Sequence, residues 1–114
     1  MSLFRYEFLP KAEGELAEAI THYDAAQSGL GIELAIELER VIQLLLDNPF
    51  AGKVAQLPTK VSYREFLLHR FPYRVIYSVE EDCILIVAVL YQGRRPGYWQ
   101  SRVQEKPSRY AAAA

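Results

Sequence analysis

One cysteine and two histidines are all that the 114-residue chain offers to redox or metal chemistry. Cys83 alone excludes an internal disulfide, and its place inside an apolar run reads as a small buried hydrophobe in a reducing compartment. His22 and His69 sit far apart in sequence, so neither a metal site nor a cofactor is expected. No run of about 20 apolar residues exists to span a bilayer. The opening segment MSLFRYEFLP has no basic stretch leading into an apolar one, so no secretory signal is expected and the cytoplasm is the expected location. No glycine-rich loop precedes a helix to cradle phosphate. The Ser and Cys nucleophiles lack a base-and-orienter set, and no internal repeat is present.

What remains is an ordinary globular composition, 51% hydrophobic and 24% charged. A chain of this length buries roughly two-thirds of its unfolded surface in one core. The net charge of −1 hides an asymmetry. Residues 1–50 carry three basic against nine acidic residues, whereas residues 51–114 carry ten against five. Binding nucleic acid by bulk charge is disfavoured. A local anion-binding face on the basic half and a plain solvated face on the acidic half both fit the pattern.

Residues 4–8, FRYEF, alternate and predict a short strand with one buried face. Pro10 suits the first turn of a helix, where its missing N–H costs nothing. Ala12, Leu16, Ala19, Ile20 and Tyr23 recur at helical spacing over 11–27. SGLG at 28–31 then leaves room only for a tight helical hairpin. Leu34, Leu38, Val41, Ile42 and Leu45 form the stripe of a second helix over 31–47. Asn48 is expected in the left-handed cap position, with Pro49 forbidding continuation. AGKVAQLPTKVS (51–62) reads as a loop or irregular strand. YREFLLHRF (63–71), YRVIYSV (73–79) and CILIVAVLY (83–91) predict three strands, whose short gaps force antiparallel pairing.

The expected fold is α+β: an N-terminal strand and a helical hairpin packed on a mostly antiparallel sheet of three to four strands. Residues 1–100 form its single domain and 101–114 an extended or disordered tail. The last strand is apolar on both faces, with Leu85, Val87 and Val89 on one and Ile84, Ile86 and Ala88 on the other. One hairpin covers one face, so a partner is expected over the other, the alternative being the segment from Tyr98 and Trp99 folding back.

YQGRRPGYW (91–99) gathers two arginines, a Pro-Gly pair and the only Trp where that strand leaves the core. It reads as a strand exit or as a site for an anionic or aromatic-rich partner. Arg64, His69, Arg70, Arg74, Arg94 and Arg95 lie near strand ends, with Lys53 and Lys60 in the preceding loop. Arginine forks match phosphate or carboxylate but do not act as bases, which leaves that role to His69 or a lysine. Tyr73, Tyr77, Tyr91, Tyr98 and Trp99 can stack on bases or fill the core. Glu13, Glu15, Glu18, Glu33, Glu37 and Glu39 are read as solvated helix faces.

Strand–helix–helix, NPFAGKV, and then FPYRVIYSVEEDCILIVAVLYQGRRPGYW together resemble the RelE/ParE family of type II toxin–antitoxin toxins over about residues 4–100. The resemblance implies a small cytoplasmic bacterial toxin of the plasmid-stabilisation type, which inhibits growth and is neutralised by a cognate antitoxin. In the ribosome-dependent mRNA endonuclease branch, arginines at positions resembling Arg74 and Arg95 contact the scissile phosphate, and a Tyr follows. Here that Tyr position is matched by Trp99, with Tyr98 beside it, and the strand that carries lysines in that branch has none. The departure favours the ParE-like branch, which binds DNA gyrase without cutting RNA.

Arg74, Arg95, His69 and Tyr98 are the catalytic candidates if the chain cuts RNA. Arg64, Arg70, Arg94, Arg95, Trp99, Leu85 and Val87 are the candidates for target or partner binding. A degenerate toxin that retains only antitoxin binding, and a homodimer, stay open.

Overall fold

A computed structural model describes residues 5–55, 62–94 and 98–99. The expected tail at 101–114, together with Lys60 and Arg95, lies outside the described residues. The order is β1 (Arg5–Phe8), α1 (Pro10–Ala26), α2 (Leu30–Asp47), β2 (Lys53–Val54), β3 (Arg64–Leu67), β4 (Tyr73–Val79) and β5 (Cys83–Tyr91). The strands form one sheet in the order β1-β5-β4-β3-β2. β2 through β5 pair antiparallel, and β1 alone runs parallel to its neighbour β5. The two-residue β2 makes the sheet five-stranded.

The helices form as their spacing predicts. Pro10 opens α1, and Ala12 and Ala19 are fully buried, with Leu16, Ile20 and Tyr23 packed beside them. In α2, Leu34, Leu38, Val41, Ile42 and Leu45 all face the sheet. Between the helices Gly29 takes φ +90°, the left-handed region that L side chains avoid. Asp24 Oδ1 accepts from the N–H groups of Gly29 and Gly31 at 2.9 and 3.3 Å, occupying donors at the start of α2. The left-handed residue expected at Asn48 is absent: Asn48 has φ −143°, and its N–H simply donates to Leu44 O before Pro49 ends the helix.

The strand expected over 63–71 stops at Leu67. The chain turns there because Glu37 of α2 accepts the backbone N–H groups of both His69 and Arg70. That turn is made by a residue more than thirty positions away, so nothing local announced it.

The core has two layers, one on each face of the sheet. On the helix face lie Val75, Tyr77, Ile84, Ile86 and Val89. On the other lie Ile76, Leu85, Val87, Ala88 and Leu90, packed with Leu9, Tyr63 and Trp99. This departs from strict alternation along β5. A register irregularity opposite Ile76 and Tyr77 pairs those residues with Ala88 and Ile86, leaving Val87 as the extra residue. Val87 and Ala88 therefore share a face, and Val89 moves to the helix side.

The expectation that a partner covers the second face is corrected in the same way. Leu85 and Val87 are 0% and 1% exposed within the single chain, and Trp99 is 3% exposed, its ring edge-on to Tyr63 at 5.1 Å between centroids. The aromatic at the strand exit is a core residue.

Candidate functional site

The cations of the second half were the leading site candidates, and the structure places the described arginines and His69 in three separate environments. Arg64, at the start of β3, donates to the carbonyls of Phe50 and Gly52 at 3.3 and 2.8 Å and lies 5.0 Å from the Phe50 ring centroid. Tyr77 supports the same turn: its hydroxyl donates to Pro49 O at 2.8 Å and accepts from Gly52 N at 2.9 Å. Burial pushes the Tyr77 phenol above its ordinary value. Arg64 is thus a brace for the segment leaving α2.

Arg70 and His69 occupy a second place, against α2. Arg70 Nη2 pairs with Glu33 Oε1 at 2.6 Å, and its guanidinium lies over Phe71 at 5.5 Å. Both residues line a groove of about 240 Å³ between α2 and the outer edge of β3, together with Val41, Leu44, Phe66 and Leu67. Glu37 forms part of its wall. That carboxylate, read from the sequence as solvated, is 5% exposed, and its Oε1 is buried with no hydrogen-bond partner.

Arg74 and Arg94 make the third place, where β4 and β5 end. Arg74 lies on the second face, level with Leu67 and Leu90 on the flanking strands. Its Nη2 donates to the Arg94 carbonyl at 3.4 Å, Nη1 is 3.9 Å from Glu65, and Nε is buried without a partner. The Arg94 guanidinium rests on the Tyr98 ring at 4.7 Å. Of the catalytic candidates, Arg74 and Tyr98 are therefore both tied to Arg94, while His69 is held elsewhere, at the α2 groove. Arg95 lies outside the described residues.

General acid–base work needs the base within hydrogen-bond reach of the proton it abstracts, and His69 stands at the α2 groove, apart from the Arg74–Arg94 pair. Among the described residues no cluster of histidine, cysteine or carboxylates is placed to hold a metal ion.

The residue types the sequence advertised as functional also mislead about where the surface is apolar. Among the described residues, six of the nine large hydrophobic residues exposed to solvent are Ile32, Ile36, Leu44, Phe50, Val54 and Leu67, all on α2, the turn after it or the β2–β3 edge. That band, with the α2–β3 groove inside it, was not foreseen. Leu44 and Leu67 are apolar residues on α2 and β3, which local pattern alone does not mark as exposed.

A family model described as the ParE toxin of the type II toxin–antitoxin system parDE matches residues 6–96. The chain belongs to the ParE toxin family. The match takes in all seven elements of this ParE-family chain apart from the first residue of β1. The fold is similar to that of a chain in the solved chromosomal ParDE toxin–antitoxin system from P. aeruginosa, with a TM-score of 0.64 at 16% identity. The likeness covers 76% of this chain and 94% of that one, and at such identity it shows the fold alone. No curated protein matches the chain.

Proposed function

We propose that this ParE-family toxin inhibits growth by binding a cellular protein in the cytoplasm, DNA gyrase in the first instance, and is neutralised by a cognate antitoxin. The carrying observation is the dispersal of the cations. Among the described residues, Arg64, Arg70 and Arg74 are each held by local acceptors in a different part of the fold. The absence of lysine from Arg64–Leu67 supports the same reading, as does the match to the ParE side of the family.

The antitoxin reading draws support from the exposed band on α2 and β3. Its groove has an apolar floor and a rim carrying Arg40, His69 and Arg70. An apolar segment flanked by acidic residues complements that surface, and such a segment orders as it binds. The similar chain from P. aeruginosa also comes from a toxin–antitoxin system. A role in plasmid stabilisation follows from the same reading.

An mRNA endonuclease draws on one observation, the meeting of Arg74 with Arg94 at the strand exit. The experiment that separates the readings uses one purified preparation in two assays, gyrase supercoiling and ribosome-dependent mRNA cleavage. Inhibited supercoiling with intact mRNA is the expected result, reversed by the antitoxin. Codon-specific cleavage lost in Arg74→Ala overturns the proposal in favour of the endonuclease. Silence in both assays with a tight antitoxin complex identifies a degenerate toxin.

A further inference from the structure

β1 ends at Phe8, opposite Ile86, so beyond that point β5 has no neighbouring strand on the edge away from β4. α1 takes its place, and Glu15 Oε1 accepts the Val89 N–H at 3.0 Å, a rung of the sheet supplied by a side chain. Between α1 and the ends of β4 and β5 a cleft of about 210 Å³ remains. Glu18 and His22, one helical turn apart, form one wall; Tyr73, Tyr91 and Arg94 form the other.

Tyr91 is 52% exposed yet held in place. One side of its ring lies against Gly93, where a Cβ would come within 2.6 Å of the ring, and its neighbour Tyr73 meets it at 5.9 Å and 77°. A fixed, exposed aromatic face stacks a flat ring at little entropic cost. Glu15 is committed to β5, which leaves Glu18, solvent-exposed on the same face of α1, as the carboxylate open to a ligand. Arg94 stands at the opposite end, supported by the Tyr98 ring.

We propose that this cleft binds an unstacked guanine base, its ring on Tyr91, its N1–H and N2–H₂ donors on the Glu18 carboxylate and its phosphate on Arg94. A carboxylate accepts two parallel donors, and guanine carries two adjacent ones on its pairing edge. Adenine offers one donor beside an acceptor, and hypoxanthine lacks the exocyclic amine. The site is independent of the toxin reading.

The test is an NMR titration of the full chain with GMP, IMP and AMP. GMP shifts the Tyr91 and His22 signals saturably, and IMP and AMP bind about tenfold more weakly, the loss expected for one hydrogen bond to a charged group. Glu18→Ala levels the three nucleotides with an unchanged melting temperature, because that side chain is exposed, and Tyr91→Ala abolishes the His22 shift. A single-stranded oligonucleotide with one G among uridines that binds tighter than GMP assigns the base to a strand; equal affinity assigns a mononucleotide. The proposal is overturned by equal binding of GMP and AMP, by unmoved cleft signals at saturating GMP, or by an arginine-bearing peptide occupying the cleft where nucleotides do not.

Discussion

The two faces of β5 are equally dry, but they are covered by different means. On the helix face the cover comes from α1 and α2, whose apolar residues recur at helical spacing. On the other face, among the described residues, it comes from Leu9, Tyr63 and Trp99, side chains from separate irregular segments. A periodic cover can be read from a sequence; a cover assembled from scattered residues cannot. The contrast also locates the surface left for partners. With both faces of the central strand closed, the exposed apolar residues concentrate on the outside of α2 and at the β2–β3 edge.

The largest expected effect tests whether the scattered cover matters as much as the regular one. Trp99→Ala is expected to cost about 3–5 kcal/mol in urea unfolding, close to the 2–5 kcal/mol expected for Leu38→Ala on the helix face. A loss within about 0.5 kcal/mol, the surface norm, would make Trp99 a surface residue and break the comparison.

Gly31→Ala probes the helix layer itself. The added Cβ would lie 2.4 Å from the Ile20 carbonyl oxygen, a backbone atom that moves only if the two helices part. Alanine normally gains about 1 kcal/mol over glycine inside a helix. Overpacking against backbone is expected to reverse that sign, for a net loss of roughly 1–3 kcal/mol in the same measurement.

Tyr77→Phe removes the hydroxyl that joins β4 to the segment after α2. It leaves Gly52 N–H and Pro49 C=O without their partner, a loss of about 1–2 kcal/mol. Thermal melts of the variant should show the shift without loss of helix signal at low temperature.

At neutral pH the smallest effect, because it appears only in alkaline solution, is a pH dependence. Burial pushes the Cys83 thiol up from 9.0 to about 11, and burial also raises the phenols of Tyr63, Tyr73 and Tyr77. A raised folded-state value means that the unfolded chain loses its proton first as pH rises. The Cys83 contribution is therefore complete below pH 9.0 and is lost as pH rises through about 11. Chemical unfolding across that window should show falling stability, and Cys83→Ser should flatten part of the slope.

Much of the architecture was legible because it is written in local patterns. The helical hairpin, the antiparallel meander and the interior position of β5 follow from spacing, short gaps and an apolar run. The misreadings share a physical cause, which is interaction over long sequence distance. Glu37 and Glu15 look like surface carboxylates on their helices, yet one holds the turn at His69 and Arg70 and the other completes the edge of β5. The irregularity that moves Val89 to the helix face has no residue signature, since no glycine or proline marks it. The arginines were identified as a set by composition, but Arg64 and Arg70 are claimed by Gly52 and Glu33, acceptors outside the predicted strands.

Amide exchange of the free protein, followed by the same measurement with its antitoxin, tests most directly that the chain closes both faces of β5 by itself. Residues 83–91 should already be maximally protected in the free monomer, and new protection on binding should fall on α2 and on 66–70. Fast exchange of 83–91 in the free protein, slowed only by the antitoxin, would contradict the account and return the second face to the partner.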